Sequence, residues 1–212
     1  MAIALLDQSY YFPPSQQANS DGLLAVGGDL HPKRLIKAYS KGIFRWFNED
    51  EPPLWWTPDP RFVLFAKELK ISKSMRTFLK KSQLRFEYNT HFKEIMIACQ
   101  QQKRKGQSGT WITHEFIDSY VSLHHMGVAI SAACFEKDLL IGGLYGVLLP
   151  KMFCGESMFA IKPNASKYAF IHLVNFLFQE KNIELIDCQI QSAHLESLGA
   201  RSIPRKVFEQ YL

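Results

Sequence analysis

The chain has 212 residues, which is enough for one large domain or for a domain with a small lobe. Hydrophobic residues make up 47% of it and charged residues 21%, a balance that excludes an intrinsically disordered chain. The formal net charge of +5 permits an anionic partner such as RNA, and the distribution of the charges decides whether one is expected.

The cysteines and the first residues indicate a protein of a reducing compartment. The four cysteines are far apart and form no Cys-x-x-Cys pair, which gives a metal site no support. The N-terminal residues lack the basic region and apolar run of a signal peptide, and no stretch approaches the ~20 apolar residues of a membrane span. We therefore expect a cytoplasmic protein with free thiols at Cys99, Cys134, Cys154 and Cys188.

The first 61 residues differ in pattern from the rest. Proline and glycine recur so often that long helices and strands are excluded. One short helix is predicted, with Asp29 or His31 as its N-cap, Pro32 in its first turn and Gly42 as its stop. This segment is predicted to be a small, loop-rich N-terminal lobe.

Regular patterns fill the remainder of the chain. The order of the elements predicts an α+β domain whose strands form one mostly antiparallel sheet. Pro204 is predicted to begin a last short helix. Helices are predicted at 73–81, 91–101, 113–124 and 164–179, and strands at 61–65, 85–88, 128–135, 139–149, 152–159 and 184–188.

Asp187 and Gln189 end an apolar strand and are the first candidates for chemistry. Side chains alternate along a strand, so both are expected on one face. There they would orient a nucleophile, unless Asp187 only caps a turn and Gln189 is solvated. Cys188, between them, is expected to point into the core as packing.

Glu156 lies in an aromatic run beside Gly155. Glycine allows a ligand or a backbone to approach closely, and a carboxylate in apolar surroundings needs a partner. That partner is either a cation of the protein or a cationic group of a substrate. Trp111 leaves a similar choice between core packing and the wall of a binding pocket.

Basic residues recur on one predicted helix. Lys73, Arg76, Lys80 and Lys81 share a face at helical spacing. Together with the basic loop at 103–105 they form a candidate contact for a phosphate backbone. The alternative is an ordinary solvated face.

Strings throughout the chain resemble those of the leucyl/phenylalanyl-tRNA–protein transferase family. They run in family order from near residue 12 to the C-terminus. The matching strings are Asp21-Gly-Leu-Leu-Ala-Val-Gly-Gly-Asp29-Leu, Gly42-Ile-Phe-x-Trp46-Phe, Leu54-Trp-Trp-x-Pro-Asp-Pro-Arg61, Gly109-Thr-Trp-Ile-Thr113, Gly142-Gly-Leu-Tyr-Gly146, Gly155-Glu-Ser-Met-Phe159, Asn164-Ala-Ser-Lys167, Leu185-Ile-Asp-Cys-Gln189, and Ser197-Leu-Gly-Ala200 followed by Ile203-Pro-Arg205.

The resemblance implies an enzyme that takes leucine or phenylalanine, and methionine less well, from aminoacyl-tRNA. It implies acceptor proteins with N-terminal Lys or Arg, which the added residue marks for degradation under the bacterial N-end rule. Because the donor is an activated ester, no cofactor, metal or energy source is implied. The implied fold is a small N-terminal domain, residues 1–61, and a GNAT-like (acetyltransferase-like) catalytic domain, residues 62–212.

The resemblance also implies roles for individual residues. Gln189 aims the acceptor amine, since an amide oxygen is too weakly basic to serve as a general base, and Asp187 orients or polarises the arrangement. Glu156 contacts the terminal adenosine or the cationic end of the acceptor. The implied substrate-binding residues are Trp46, Trp111, Leu144, Phe153, Glu156, Ser157, Met158, Leu173 and Ile186. The implied tRNA-binding residues are Lys73, Arg76, Lys80 and Lys81.

Two departures from the family pattern leave rival functions open. The family usually has Pro at Arg45 and a His-Ser-x-Glu string where this chain has Ile130-Ser-Ala-Ala133, so a different hydrogen-bond network or acceptor preference is expected. A tRNA-binding relative without activity is one rival. An acyl-CoA-dependent GNAT enzyme is another, although the (Arg/Gln)-x-x-Gly-x-(Gly/Ala) loop that binds the coenzyme pyrophosphate is not matched.

Overall fold

The N-terminal lobe contains a small sheet of four short strands in the order β1-β2-β4-β3. The structure, a computed structural model, describes residues 3–48, 50–102 and 110–212, so the predicted basic loop at 103–109 lies outside the described residues. The strands have two to five residues, too few to produce an alternating pattern, and the sequence predicted only loops here. The elements of the lobe are β1 (Ala4–Leu6), β2 (Leu23–Gly27), α1 (Pro32–Tyr39), β3 (Phe44–Arg45) and β4 (Leu54–Trp56).

The predicted helix of the lobe is confirmed as α1. The side chain of His31 caps it by accepting a hydrogen bond from the backbone N–H of Lys33. The helix ends at Tyr39, and the chain reverses through Gly42, whose φ of +69° is readily adopted only by glycine.

The second sheet has seven strands in the order β11-β5-β10-β9-β8-β7-β6. Of its neighbouring pairs among the described residues, only β9–β10 is parallel, which confirms the predicted α+β class and mostly antiparallel sheet. Its elements are β5 (Arg61–Phe65), α2 (Lys73–Lys81), β6 (Leu84–Tyr88), α3 (Phe92–Gln101), α4 (His114–His125), β7 (Ala129–Glu136), β8 (Leu139–Leu148), β9 (Met152–Ala160), α5 (Ala165–Glu180), β10 (Leu185–Gln189), α6 (Ala193–Glu196), β11 (Arg201–Ile203) and α7 (Arg205–Phe208). Short 3₁₀ helices lie at Ser15–Gln17, Ala66–Glu68 and Glu209–Tyr211.

Most predicted elements of this domain occur within a few residues of their predicted bounds. The helix predicted at 73–81 is α2, and Ser72 caps it by accepting from the backbone N–H of Met75. The sequence did not predict α6 or β11, which have four and three residues and are too short for a periodic signal. Within the described ranges, no helix is long and apolar enough to cross a membrane.

Apolar side chains form two clusters, one on each face of the large sheet. The first cluster joins the N-terminal lobe to α3 and α4, and the second contains α5 and the buried face of α2. The chain passes from the small sheet to the large one between Trp56 and Arg61. Because the first cluster continues across this point, the lobe and the large sheet share a core, and a division into domains at residue 61 stays a prediction.

Two bulges shape the sheet around β9 and β10. One lies between Tyr145 and Gly146 in the pairing of β8 with β9, and the other lies at Cys188 in the pairing of β10 with β5. A Cβ atom at Gly146 would collide with the carbonyl oxygen of Cys154, so glycine is required there. Bulges bend a strand and redirect its side chains, which happens here where the sheet meets the lobe.

Candidate active site

A cleft of about 770 Å³ opens between the N-terminal lobe, the middle of β9, the C-terminal end of β10 and the first turns of α5. Apolar and aromatic side chains form about half of its wall, and polar side chains form most of the rest. The residues that line it are Phe44, Arg45, Trp46, Asn48, Trp111, Leu144, Gly155, Glu156, Ser157, Met158, Ser166, Phe170, Ile186, Asp187, Cys188, Gln189, Ile190, Gln191, Ser192, His194 and Leu195.

The cleft brings together most of the residues proposed from the sequence. Phe153 and Leu173 are different, because both are fully buried and neither lines the cleft in the described structure. They share the second cluster with Leu144 and Ile186, so they pack against the wall. The proposed site residues that line the cleft are Trp46, Trp111, Leu144, Glu156, Ser157, Met158, Ile186, Asp187 and Gln189.

The backbone of Gln189 is held by Asp187. The Oδ1 atom of Asp187 accepts the backbone N–H of Gln189 at 3.0 Å and the Nε–H of Arg61 at 2.8 Å. Its Oδ2 atom accepts from Arg61 at 2.7 Å, and the side chains of this ion pair are each 1% exposed. The carboxylate is therefore bonded within the protein, to Arg61 and to the backbone of Gln189.

The expected alternation of Asp187 and Gln189 on one strand face is wrong. Asp187 pairs with Val63 and Gln189 with Phe62, so Cys188 is an extra residue in the ladder. Gln189 has a φ of +62°, an uncommon conformation for a residue with a side chain. The bulge interrupts the period of two, and a backbone hydrogen bond links the two residues instead of a shared face.

The side chain of Gln189 is held by Glu156. Its Nε2 atom donates to Oε1 of Glu156 at 2.9 Å. An ionised carboxylate only accepts hydrogen bonds, so this contact fixes which end of the amide is the nitrogen. The amide oxygen is consequently directed away from Glu156, on a residue that lines the cleft.

Glu156 is the centre of a buried polar network, and its side chain is 2% exposed. Tyr39 donates to its Oε1 atom at 2.6 Å and also shares a short hydrogen bond with Tyr120. Arg45, the position where Pro was expected, places its Nη2 atom 3.9 Å from Oε2. A cation of the protein is therefore one partner of Glu156, and its contact with a substrate stays a prediction.

Arg45 is enclosed by aromatic rings. Its guanidinium carbon lies 3.3 Å from the ring centre of Phe116 and 4.6 Å from that of Trp111, positions that allow cation–π attraction. Its side chain is 0% exposed, and none of its three nitrogen atoms has a hydrogen-bond partner in the described structure. A buried guanidinium whose nitrogen atoms make no hydrogen bond is uncommon in folded proteins.

Burial dominates the acid–base behaviour of the site. It raises the pKa of the Glu156 carboxyl above its ordinary value, and the nearby charge of Arg45 opposes that rise. Burial also raises the pKa of the Cys188 thiol. Since a thiol must ionise to act as a nucleophile, this supports packing as the role of Cys188.

The second departure from the family pattern, at residues 130–133, places apolar side chains in the core. Ala133 is fully buried in the first cluster, and Ile130 is buried in the second. The strand β7 therefore contributes packing on both faces at these two positions.

A second, smaller cleft of about 290 Å³ shares Gln189 and Trp46 with the first. The exposed residue Asp21 lines it and supplies a carboxylate. The other lining residues are Phe44, Trp56, Pro58, Pro60, Phe62, Ile190, Gln191 and Ser202. Phe44, Ile190 and Gln191 also line both clefts, so the two clefts adjoin one another at Gln189.

The four basic residues proposed for tRNA contact lie exposed on α2. The helix packs through the buried side chain of Met75, and its polar face is turned to solvent. Arg76 is held in place by a hydrogen bond of its Nε–H to the carbonyl of Ile71 at 2.9 Å. Lys103, Arg104 and Lys105, which were proposed to extend this face, lie outside the described residues.

Sequence reasoning missed three members of the polar network: Tyr39, Arg61 and Tyr120. Arg61 opens an apolar strand, and a cation there signals a buried carboxylate partner. Tyr39 and Tyr120 lie on the buried sides of α1 and α4. Their hydroxyl groups meet only in the tertiary structure, so no local pattern identifies them.

Models of known protein families match most of the chain. Residues 63–212 match the model described as Leucyl/phenylalanyl-tRNA protein transferase. Residues 28–59 match the N-terminal domain of the same family.

Relatives with the name Leucyl/phenylalanyl-tRNA--protein transferase match over nearly their full length. One from Flavobacterium johnsoniae is 53% identical over 207 residues, which is 98% of this chain and 97% of the relative. One from Christiangramia forsetii is 51% identical over 203 residues, 95% of each chain.

Among solved structures, the likeness is weak. A GCN5-related N-acetyltransferase from Kribbella flavida has a TM-score of 0.41 and 5% identity, and covers 79% of this chain and 59% of its own. A protein from Staphylococcus epidermidis, described as functionally unknown, reaches a TM-score of 0.44 at 7% identity, covering 86% of this chain and 68% of its own. These scores are too low to carry an argument.

Proposed function

The chain belongs to the leucyl/phenylalanyl-tRNA protein transferase family, and from that premise we propose its substrates and the roles of its site residues. It is an aminoacyltransferase that moves an aminoacyl group from aminoacyl-tRNA to a protein. We propose leucine and phenylalanine, and methionine less well, as the transferred residues. The proposed acceptors are cytoplasmic proteins with N-terminal Lys or Arg, which the transfer marks for degradation.

The larger cleft is the proposed site of the donor side chain. Its wall includes the rings of Trp46 and Trp111 and the aliphatic side chains of Leu144 and Ile186, a surface without charge for Leu or Phe. Met158 completes it with a flexible thioether that adapts to both branched and planar side chains. Ser157 lines the same cleft and is proposed to contact the substrate.

The proposed chemistry depends on Gln189, because hydrogen bonds fix both its backbone and its side-chain amide beside this cleft. Asp187 holds its backbone, and Glu156 holds its amide nitrogen. The amide oxygen then accepts a hydrogen bond from the acceptor's neutral α-amine and aims the lone pair at the ester carbonyl. Such positioning alone contributes several kcal/mol to a bimolecular reaction.

The transfer is an aminolysis of an ester. The amine nitrogen forms a bond to the carbonyl carbon, the bond from that carbon to the ribose oxygen breaks, and the ribose oxygen takes the amine proton. A free α-amine has a pKa of ~8, so an appreciable fraction is neutral near pH 7 and no strong base is required. Gln189 is accordingly an acceptor that directs the amine, and Asp187 is a positioning residue.

The smaller cleft is the proposed site of the acceptor's first residue. It adjoins the larger cleft at Gln189, and Asp21 gives it a negative charge for a Lys or Arg side chain. The rings of Trp46 and Trp56 offer cation–π contact to the same group. Because Asp21 is exposed, Asp21→Asn should raise KM for Lys-initiated peptides only a few-fold.

The exposed basic face of α2 is the proposed contact for the tRNA backbone. Neutralising phosphates releases counterions, so affinity should fall as salt rises, by ~0.7–0.9 in log–log slope for each phosphate contact. Replacing Lys73, Lys80 and Lys81 together by Gln should flatten that slope, measured by filter binding of tRNA. An unchanged slope would remove this helix from the interface.

One experiment tests the substrates directly. Labelled Leu-tRNA is incubated with peptides that differ only in their first residue, and transfer is expected to Lys- and Arg-initiated peptides alone. Label on acidic N-termini, or on none, would contradict the proposal. Gln189→Ala should lose most single-turnover transfer while keeping the wild-type unfolding curve, and near-wild-type transfer would reject its role.

A further inference from the structure

Arg45 is buried beside Glu156, whose carboxylate accepts a hydrogen bond from the side-chain amide of Gln189. We propose that Arg45 is a positioning residue, which keeps Glu156 ionised so that the amide oxygen of Gln189 stays turned to the acceptor amine. This inference rests on the proposed function for its effect on transfer. It gives a role to a residue that the family pattern did not predict.

The charge balance around Glu156 is the first argument. Its carboxylate is almost fully buried, and a buried carboxylate is stable as an anion only beside a compensating charge. Among the described residues that act on it, only Arg45 is a cation. The neutral groups that face it are Tyr39 from α1, Tyr120 from α4, Tyr145 from β8, Cys154 from β9 and Gln189 from β10.

The arrangement of the contacts is the second argument. Arg45 approaches Glu156 at 3.9 Å without a hydrogen bond, whereas Tyr39 and Gln189 bond to Oε1 at 2.6 and 2.9 Å. Arg45 therefore supplies charge without occupying the oxygen that orients the amide. The enclosing rings of Phe116 and Trp111 hold the guanidinium in this position.

The hydrogen-bonding rules of the two protonation states are the third argument. An ionised Glu156 accepts only, so Gln189 must present its amide nitrogen to it. A protonated Glu156 has an O–H that donates equally well to the amide oxygen. Both orientations of the amide are then allowed, and the flipped one presents N–H groups to an amine that needs an acceptor.

The pH dependence of transfer provides the test. Below the pKa of the acceptor amine, log kcat/KM should rise with pH at a slope of about one, because only the neutral amine reacts. Below the pKa of Glu156 the slope should steepen to about two. Burial already raises the pKa of Glu156 and Arg45 opposes that rise, so Arg45→Met should move this break to higher pH by about one unit or more.

Two controls separate charge from packing. Arg45→Lys keeps the cation and should leave the break near its wild-type pH, whereas a purely structural role would lower the rate equally at every pH. Arg45→Met in a Glu156→Gln background should add no pH effect, since no carboxyl remains to titrate. If Arg45→Met fails to fold, Arg45→Gln takes its place with the same expected shift.

The outcomes distinguish this inference from the proposed function. A break that stays at the wild-type pH in Arg45→Met overturns the inference while leaving the function intact. If the wild-type protein transfers nothing, the proposed function fails, and carbon NMR of labelled glutamate then titrates Glu156 directly. In that measurement, a higher pKa in Arg45→Met than in the wild-type protein supports the charge role, and an equal pKa rejects it.

Discussion

Two buried ion pairs flank Gln189, and they are built differently. Arg61 and Asp187 meet through two hydrogen bonds of 2.7 and 2.8 Å. Arg45 and Glu156 approach only to 3.9 Å. Arg61 keeps one nitrogen without a hydrogen-bond partner in the described structure, and Arg45 keeps three.

The close pair of Arg61 and Asp187 is a fixed support, whereas the loose pair of Arg45 and Glu156 leaves a contact that can change. In the close pair, the arginine occupies both oxygens of Asp187, and the carboxylate also accepts the backbone N–H of Gln189. In the loose pair, the oxygen of Glu156 remains available to Tyr39 and to the side chain of Gln189. The first pair holds the backbone of Gln189, and the second is proposed to set which way its amide faces.

The largest expected effect comes from opening the close pair. Arg61→Met leaves the carboxylate of Asp187 buried without a partner, and such losses destabilise proteins by about 3–5 kcal/mol. Chemical denaturation should show a decrease of this size in the free energy of unfolding. Arg45→Met should cost less, because Glu156 keeps its hydrogen bonds from Tyr39 and Gln189.

A double variant separates stability from function at the close pair. Arg61→Met combined with Asp187→Leu removes both charges, and a buried pair replaced by apolar residues is often neutral for stability. The double variant should therefore recover most of the unfolding free energy but not the transfer, since Gln189 loses the acceptor of its backbone N–H. Recovery of both would show that Asp187 has no part in positioning Gln189.

A smaller effect is expected from Glu156→Gln at the loose pair. The change keeps the shape but removes the charge that orients the amide, and a hydrogen bond to a charged group is worth about 1.5–3 kcal/mol. Single-turnover transfer should fall by about tenfold or more at neutral pH. The wild-type carboxyl, with its raised pKa, takes up a proton at a higher pH than an exposed glutamate does. Glutamine has no carboxyl to titrate, so the steep acid limb should vanish in the variant. Persistence of that limb in the variant would assign it to another group.

The sequence predicted the walls of the site better than its polar interior. Trp111 and Met158 were placed at the cleft from matched strings, and both line it. The shared strand face of Asp187 and Gln189 was predicted wrongly, because alternation assumes a regular strand. The bulge at Cys188 has no local signature in the sequence.

The network around Glu156 depends on contacts between distant parts of the chain. Tyr39 and Glu156 are 117 positions apart, and Arg61 and Asp187 are 126 apart. The helix and strand periods show which side of an element is apolar, and they therefore predicted α2 and α5. They contain no information on which polar groups meet in the folded protein. The short strands of the lobe were missed for the same lack of a period.

The smallest effect is expected at Tyr120, beside the loose pair of Arg45 and Glu156. Tyr120→Phe removes the hydroxyl that bonds to Tyr39, and a neutral hydrogen bond contributes about 0.5–1.5 kcal/mol to stability. Tyr120 also lowers the pKa of Glu156 by a hydrogen bond, but less than Tyr39 does, and the bond of Tyr39 remains. The acid break of transfer should therefore move to higher pH only slightly. Tyr39→Phe is the matched comparison: it removes a donor to the carboxylate itself, so the pKa of Glu156 should rise further and the break should move to higher pH. Equal pH profiles for the two phenylalanine variants would show that the hydrogen bond of Tyr39 does no more than that of Tyr120 to keep Glu156 ionised.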